Sequence, residues 1–444
     1  MRTKPPSDGP AGRTAGGATG SATAATADGA RRAEILACAA QLFASSGSVG
    51  TSLKDVADAC GILPGSLYHH FASKEAILLE LVVGYQSELD AAGRAAIERL
   101  DLDGTAATFG PVLDLAAAIA GIARRHRAAL QVTKYEPPAG ASAQFVARTQ
   151  RGPEAVDLAM AGLLRQAQDQ RLVAPGVDTA VLARQLAESM RHVGLAILHG
   201  GPAEQVATAG CHLLLYGIGP QPVDDAALDR SAATAAADAA VRAWGEPDGG
   251  GGRDKAAVLR AVARAEFARR GYEATTIRDI AATAGLAAGS VYRLIGTKEA
   301  LLGSIMNAFH DQLSAGYDAV LAADATALAQ LDALTWLNLN VLDRFGPELA
   351  IQAAWLRAVP PAASDLRPPA RRRAGQIAAL VAGGLRSGQL RTGPPGSAPP
   401  PLEVLAACVR DLSWLPAWMV QQQGARAALA HSRATLIRGA AGRA

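Results

Sequence analysis

Apolar residues recur at helical spacing in two regions of the chain that copy one another. Residues 31–78 and 255–302 align without a gap, 224 positions apart, and 17 of their 48 aligned pairs are identical. The apolar positions of the first predicted helix are Ile35, Leu36, Ala39, Ala40 and Phe43. A repeat of this length predicts two structural units with the same architecture.

Each copy contains the start and stop signals of several consecutive helices. In the first copy, Gly47 ends one helix, Ser52 and Asp55 form a capping box for the next, and Gly61 breaks that helix after about two turns. The second copy has the same signals at Gly271, Thr276, Asp279 and Gly285. Two short helices joined by a glycine-containing turn predict a helix-turn-helix, whose second helix enters the major groove of DNA.

The second short helix is therefore the candidate reading helix. Pro64, Gly65 and Ser66 have small side chains, so the N-terminal end of this helix can approach the bases closely. Hydroxyls, lysines and helix N-termini supply most contacts to the DNA backbone. The predicted DNA-binding residues are Thr51, Ser52, Leu63, Pro64, Gly65, Ser66, Tyr68, His69 and Lys74 in the first copy, and Thr275, Thr276, Ala287, Ala288, Gly289, Ser290, Tyr292, Arg293 and Lys298 in the second. The alternative is a small three-helix bundle without a nucleic-acid role.

Both copies follow a more specific pattern. In the first copy it is carried by Thr51, Val56-Ala57, Gly61-Ile62, Gly65, Leu67-Tyr68, His70-Phe71, Lys74-Glu75 and Leu78. On these residues the copies resemble the N-terminal DNA-binding domain of the TetR (tetracycline-repressor-like) transcriptional regulators. The second copy has Leu294-Ile295 where His-Phe is expected, a change that keeps an apolar contact with the first helix. The resemblance implies a double-stranded DNA operator, a small-molecule effector and a four-helix bundle between subunits.

Composition agrees with an all-α tandem duplication. The 444 residues are 50% hydrophobic and 4% aromatic, as expected of a helical protein of two or more domains. The net charge of +3 does not by itself indicate nucleic-acid binding. Residues 253–299 contain nine Lys and Arg against five Asp and Glu, whereas residues 31–75 contain four of each. The second copy is the more basic, either for attraction to phosphate or as an ordinary solvated face.

Breaks in the helical pattern of the sequence predict six segments. Glycine and proline runs separate them, above all the run from Gly245 to Gly252. The segments are a disordered tail over 1–30, DNA-binding domain 1 over 31–78, a helical effector and dimerisation domain over 79–220, a linker with an alanine-rich helix over 221–252, DNA-binding domain 2 over 253–302, and a second effector and dimerisation domain over 303–444. Within the last, residues 402–423 are predicted to form one long helix kinked at Pro416.

No feature of the sequence indicates a membrane segment, a metal site or a cofactor. The four cysteines are scattered, and residues 1–30 lack the apolar core of a signal peptide. His192, His199 and His212 share a helical spacing but have no carboxylate or cysteine partner arranged around them, so ordinary histidines are favoured over a metal site. We therefore expect a cytoplasmic protein without a cofactor.

The two C-terminal halves are the candidate effector domains. Apolar and aromatic residues with a few interleaved polar groups are typical of a small-molecule pocket. The candidates are His126, Tyr135, Met160, Leu164, Met190 and His192 in the first half and Trp336, Asn340 and Trp355 in the second. The alternative is that these side chains form only helix core and interface.

Together these features predict a sequence-specific transcriptional regulator, a repressor that a small apolar effector releases from DNA. It would act as an intrachain pseudo-dimer or as a homodimer. The alternative is a pseudo-dimeric sensor or interaction protein in which the second copy no longer reads DNA. An enzyme is not expected, since the chain has no nucleophile elbow, P-loop or dinucleotide fingerprint.

Overall fold

The computed structural model describes residues 19–102, 108–133, 141–193, 202–220, 223–244, 255–272, 275–355, 367–394 and 398–442. Within these ranges the secondary structure is helical, apart from one antiparallel bridge between Val173 and Ala441. The predicted all-α class is confirmed. Among the described helices, none combines the length and the apolar character needed to cross a membrane.

The helices form two units, which we define as unit 1 (residues 19–220) and unit 2 (residues 223–442). Unit 1 contains α1 (Thr19–Gly50), α2 (Leu53–Ala59), α3 (Pro64–His70), α4 (Lys74–Leu102), α5 (Gly110–Arg125), α6 (Arg127–Thr133), α7 (Ala143–Gln150), α8 (Glu154–Asp169), α9 (Thr179–Val193) and α10 (Ala203–Tyr216). Unit 2 contains α11 (Asp225–Asp229), α12 (Ala232–Ala243), α13 (Lys255–Arg270), α14 (Ile277–Thr283), α15 (Ala288–Ile295), α16 (Lys298–Ala322), α17 (Ala327–Arg344), α18 (Gly346–Trp355), α19 (Arg367–Arg386), α20 (Leu402–Leu412), α21 (Ala417–Gln423), α22 (Ala425–Ser432) and a π-helix (Arg433–Ile437).

The N-terminal end of α1 corrects the predicted disordered tail over 1–30. The helix begins at Thr19, and residues 1–18 lie outside the described ranges. Alanine is frequent here and has the highest helix propensity, so the helix extends before the first repeat begins. Asp28 contacts the His70 ring at 3.1 Å, and Arg32 stacks 4.1 Å from the centre of the Phe71 ring. These contacts hold the extended helix against the end of α3.

The segment between the two copies, predicted as a linker with an alanine-rich helix over 221–252, contains such a helix, α12. Its helix α12 packs against α16 and α17 in unit 2, with Ala233 and Ala237 fully buried. Trp244 follows α12 and meets the Phe345 ring edge-on at 5.2 Å. Alanine side chains allow close helix contact, and the tryptophan adds a large apolar surface. The segment is thus a structural part of unit 2 up to residue 244.

The last helices of the two units pack against each other within the chain. The Trp418 indole donates a hydrogen bond to Glu188 at 2.7 Å, and His431 bonds Gln185 at 2.9 Å. The predicted single helix over 402–423 is in fact two helices, because α20 ends at Leu412 and Pro416 begins a new helix at α21. Proline is compatible with a helix start but lacks the N–H that the interior of a helix requires.

The backbones of the two units cross at a pair of glycines. Gly217 has φ 72° and Gly439 has φ 90°, in the left-handed region that favours glycine. A Cβ on Gly217 would lie 2.5 Å from the carbonyl carbon of Arg438, and one on Gly439 would lie 2.3 Å from that of Tyr216. Both positions therefore require glycine for two reasons, the backbone angle and the space.

Beyond the crossing, each unit forms hydrogen bonds with the other in a repeated arrangement. The amide of Ala174 in unit 1 donates to the carbonyl of Ala440 in unit 2 at 2.8 Å. The amide of Arg391 in unit 2 donates to the carbonyl of Ile218 in unit 1, also at 2.8 Å. Each acceptor directly follows a crossing glycine. The two bonds are therefore related by an approximate two-fold axis between the units.

A buried ion cluster ties the π-helix to the rest of unit 2. Arg433 is 4% exposed and donates to both carboxylate oxygens of Asp332, at 2.9 and 2.8 Å. It also donates to Asp229 on α11 at 2.8 Å, and this bond lowers the pKa of Asp229. Asp332 is 2% exposed, so Arg433 is the cation that compensates a carboxylate removed from water.

We predict that Arg433→Met destabilises the protein by about 3–5 kcal/mol, because the Asp332 carboxylate is then buried without its cation. The control is Arg372→Met. Arg372 forms a 2.9 Å pair with Asp318 in which both side chains are about half exposed, and losing such a pair costs about 0–1 kcal/mol. Urea denaturation measures both changes. Equal midpoints for the two variants would contradict the assigned role of Arg433.

Candidate nucleic-acid interface

The first helix-turn-helix consists of α2 and α3. Ser52 accepts a hydrogen bond from the Asp55 amide at 3.2 Å, and Asp55 accepts one from the Ser52 amide at 2.7 Å. These two bonds complete the predicted capping box, and the bond from the Ser52 amide lowers the pKa of the Asp55 carboxyl. Gly61, with φ 65°, makes the turn into α3. Capping and turn together set the angle of the reading helix.

The second helix-turn-helix consists of α14 and α15 and repeats this construction. Thr276 and Asp279 form the capping box, with bonds of 2.9 and 3.1 Å. Helix α15 is one residue longer than α3 and ends at Gly296, which has φ 85°. The departure from His-Phe has a visible consequence here: Phe71 is buried, whereas Ile295 at the matching position is only half-buried, and Leu294, which matches His70, is 43% exposed. The fold of the domain is retained because Val291 is fully buried.

Most predicted DNA-binding residues lie on the exposed side of the reading helices. Leu63 is 78% exposed, Tyr68 56% and Tyr292 57%, values far above those of ordinary large apolar or aromatic residues. The other exposed members are Pro64, Gly65, Ser66, His69, Ala287, Gly289 and Arg293, while Ala288 and Ser290 are half-buried. The structure thus brings the predicted base-reading residues of each copy onto one accessible face.

Thr51 and Thr275 differ from the other predicted phosphate ligands. Both are buried, and their hydroxyls donate to the carbonyls of Gly47 and Gly271, each at 2.8 Å. These hydroxyls are therefore used within the protein, and DNA contact by the two residues stays a prediction. The sequence pattern marks these threonines because they fix the loop before the second helix.

Lys74 and Lys298 also hold that loop. Lys74 donates to the carbonyls of Ser48 and Thr51 at 2.8 and 3.1 Å, and Lys298 donates to those of Tyr272 and Thr275 at 2.8 and 3.0 Å. Burial lowers the pKa of Lys74. An ammonium group has three N–H donors, so one remains for a phosphate. Phosphate contact by these lysines stays a prediction, combined with a structural role that the sequence did not indicate.

The charges on the two candidate interfaces differ. On α2, the exposed Lys54 pairs with Asp58 at 2.7 Å. The matching positions on α14 are Arg278 and Ala282, so the second copy has a cation there without the neighbouring carboxylate. Arg293, opposite His69 in the alignment, is exposed and forms no ion pair with any described residue. Lys54 and Arg278 were not among the predicted DNA-binding residues, although a cation at the same helical position in both copies was a detectable signal.

The predicted effector residues of unit 1 lie in two different environments. Met160, Leu164 and Met190 are in the core between α5, α8 and α9. His126 bonds Glu88 at 2.7 Å and lies on the surface of that core, whereas His192 is exposed. Tyr135 lies outside the described residues. No cluster of three or more histidine, cysteine or acidic residues that could hold a metal ion occurs in the described ranges.

Tyr85 is a further polar group in this core that the sequence analysis missed. Its ring lies 5.9 Å from the His126 ring, and its buried hydroxyl has no hydrogen-bond partner among the described residues. Burial raises the pKa of Tyr85 to about 12. A buried hydroxyl without a partner is uncommon and calls for a water or a ligand. In the sequence, Tyr85 occupies an apolar position of α4 and cannot be distinguished from an ordinary core residue.

The predicted effector residues of unit 2 are engaged within the protein. The Trp336 indole donates to Asp238 of α12 at 2.8 Å, and Asn340 donates to the Trp336 carbonyl at 2.8 Å. The side chain of Trp355 is not among those described. A cleft of about 360 Å³ lies between α10 and the segment before α20, and none of the predicted residues lines it. Unit 2 thus uses Trp336 to hold α12.

We predict that Lys74→Met lowers the free energy of unfolding by about 1–3 kcal/mol, because two partly buried carbonyls lose a charged donor. Lys54→Met is the control, since Lys54 is exposed and its loss removes only a surface pair. Thermal unfolding followed by circular dichroism compares the two. If Lys74→Met unfolds at the wild-type temperature, the lysine does not hold the loop.

The two helix-turn-helix regions both match one known family. The profile described as "Bacterial regulatory proteins, tetR family" matches residues 35–81 and again residues 259–305. Each match begins in the first helix of a copy and ends in the fourth. Both therefore include the complete helix-turn-helix and the lysine that holds its loop.

Curated relatives match the chain over a short region. The HTH-type transcriptional repressor KstR2 of Rhodococcus jostii (strain RHA1) is 52% identical over 59 residues, 13% of this chain and 29% of the relative. The HTH-type transcriptional regulator UidR of Escherichia coli (strain K12) is 39% identical over 67 residues, 15% of this chain and 34% of that protein. The chain thus spans only about a third of the length of these relatives.

Among solved structures, that of the ketosteroid transcriptional regulator KstR2 of Mycobacterium tuberculosis is similar to part of this chain. The alignment covers 40% of this chain and 89% of the KstR2 chain, with 28% sequence identity and a TM-score of 0.34. The family assignment depends on the two profile matches, each of which coincides with a helix-turn-helix of the structure. The chain thus carries the DNA-binding domain of the TetR family of bacterial regulatory proteins twice, over residues 35–81 and 259–305.

Proposed function

We propose that this protein is a sequence-specific DNA-binding transcriptional repressor. The observation that carries the proposal is the pair of family-matched helix-turn-helix domains with exposed reading helices. The curated relatives that match part of the chain include proteins named as transcriptional repressors. A reading helix that exposes Leu63 and Tyr68 has a surface suited to base edges and phosphates rather than to water alone.

The alternative function is a sensor in which the second copy completes a pseudo-dimer without reading DNA. The departure at Leu294 and Ile295 favours it. The charges of the same domain favour DNA binding, because Arg278 and Arg293 are exposed cations with no described acidic partner. We therefore assign DNA contact to both copies, and substitutions in each copy separate the two functions.

We predict that Tyr68→Ala and Tyr292→Ala each weaken binding to the protein's own upstream region, because each tyrosine is an exposed side chain of a reading helix. Gel shifts at two salt concentrations measure affinity and its salt dependence, which reports the number of neutralised phosphates. Leu158→Ala is the control, since Leu158 is 67% exposed but lies on α8. Unchanged affinity in Tyr292→Ala alone would favour the sensor function, and unchanged affinity in both would oppose DNA binding through these helices.

We further propose that a small apolar effector binds in unit 1 and releases the protein from DNA. The core around Met160 and Met190 supplies apolar contact, and methionine side chains adapt to differently shaped ligands. The Tyr85 hydroxyl supplies an unused hydrogen bond in the same core. Release follows if the ligand favours the helix arrangement that separates the reading helices from their half-sites. Helix α4 joins Tyr85 directly to the first DNA-binding domain.

We predict that apolar compounds carrying one hydrogen-bonding group, screened by thermal shift, raise the melting temperature and weaken DNA binding together, since both report one linked equilibrium. Tyr85→Phe should lower the affinity for such compounds. It should keep or raise the free energy of unfolding of the protein, because it removes a buried hydroxyl that has no partner among the described residues. Tyr317→Phe is the control: its hydroxyl bonds Asn338 at 3.0 Å, so its loss should destabilise. A compound that stabilises the protein and leaves DNA affinity unchanged would occupy an unrelated cavity.

A further inference from the structure

We infer that a single chain occupies a single operator, and that this operator is an imperfect palindrome with a guanine preference in the half-site under the second copy. The inference rests on the proposed DNA binding and specifies the kind of DNA that the protein recognises. Two independent observations carry it: the way in which the units are joined, and the differences between their reading helices.

The surfaces that would join two chains are already used within one chain. Helix α10 of unit 1 packs against α20 and the π-helix of unit 2. Helix α9 of unit 1 forms hydrogen bonds with α21 and α22 of unit 2. The indole of Trp418 is held between Glu188, at 2.7 Å, and the Arg184 guanidinium, 3.8 Å from the ring centre. A second chain could use these faces only by displacing the unit that covers them.

The crossing at Gly217 and Gly439 makes this internal interface specific. No side chain fits between the two backbones, and the hydrogen bonds that follow run in both directions between the units. An interface of two related patches around an approximate two-fold axis has the symmetry of a dimer. Two DNA-binding domains related in this way address inverted half-sites, as the subunits of a symmetric dimer do.

The reading helices, however, are not copies of each other where they would meet the bases. Position 69 of the first copy is histidine and the matching position 293 of the second is arginine, both exposed. Arginine forms paired hydrogen bonds with O6 and N7 of guanine, the commonest specific contact in the major groove. Histidine has no fork of parallel donors with which to form this pair. Guanine discrimination therefore belongs to one half-site.

The surroundings of the two positions increase the difference. Beside the first reading helix, Asp58 neutralises Lys54 at 2.7 Å, whereas the second has Arg278 next to Ala282. The second copy thus presents to a polyanion two arginines that form no ion pair with a described residue, and the first presents an ion pair and a histidine. Phosphate attraction should be stronger under the second copy, which adds to its base preference.

The decisive experiment uses operators selected by the full-length protein from random duplexes, with His69→Arg as the test variant. Wild-type protein should select one guanine-dependent half-site, and replacing that guanine should weaken binding about five- to a hundred-fold. His69→Arg places arginine in both reading helices, so it should select a symmetric operator with guanine in both halves. Arg293→His should lose the guanine preference altogether. Selection of the same symmetric operator by all three proteins would overturn the inference.

Light scattering tests the number of chains. The free protein should have a mass of 45.4 kDa, and its complex with a short operator should contain one chain. Two chains on one operator would overturn the single-chain assignment while leaving DNA binding intact. Failure to select any DNA sequence would instead overturn the proposed function.

The crossing itself is tested with a matched pair of glycine variants. Gly439→Ala places a methyl group 2.3 Å from the backbone of unit 1, whereas Gly388→Ala has a similar φ of 70° with no atom within 4 Å. Gly439→Ala should reduce affinity for the full operator towards that for an isolated half-site, and Gly388→Ala should not. Equal affinities of the two variants for the full operator would show that the crossing does not couple the domains.

Discussion

The close contact of two backbones at Gly217 and Gly439 is the constraint on which the architecture depends. Only glycine satisfies both the positive φ and the space at this point, so the two units meet in one register. The neighbouring hydrogen bonds then have fixed partners, from Ala174 to Ala440 and from Arg391 to Ile218.

Unit 2 is not a plain copy of unit 1, and the differences have a common cause. The segment that connects the end of α10 to the start of α13 contains two helices, α11 and α12. Helix α12 covers α16 and α17, Asp238 of that helix holds Trp336, and Arg433 binds Asp229 on α11. These contacts bury apolar surface and complete an ion cluster. Unit 2 thus incorporates part of its connecting segment, while the core of unit 1 contains the Tyr85 hydroxyl, which has no hydrogen-bond partner among the described residues.

The local features of the DNA-binding domains could be predicted from the sequence because they depend on neighbouring residues. Capping boxes at Ser52 and Thr276 and turns at Gly61 and Gly285 follow from spacing alone, and the structure has all four. The role of Thr51 could not be predicted in this way. A hydroxyl beside a helix start suits a phosphate or a carbonyl equally well, and only burial shows that it bonds Gly47.

Long-range features could not be predicted from the sequence, because they depend on contacts between residues that are far apart in the chain. Alanine-rich segments have high helix propensity but do not reveal what they pack against. The alanine-rich helix predicted in the linker therefore gave no sign that α12 packs into unit 2, and the segment predicted as a disordered tail is helical from Thr19 onward. The candidate effector residues Met160 and Met190 were predicted from composition. Tyr85 shares their core, yet its lack of a hydrogen-bond partner is a property of the folded chain only.

The covalent union of the two DNA-binding domains changes how such a protein can diverge. In a symmetric dimer of separate chains, one substitution in the gene alters both reading helices at once, and both half-sites must tolerate it. In this chain the codons of His69 and Arg293 mutate independently. If each reading helix has its own half-site, as we propose, one preference can change while the other keeps the protein on its operator. The tandem duplication therefore lets the two reading helices change separately, while the glycine crossing keeps the two units in one register.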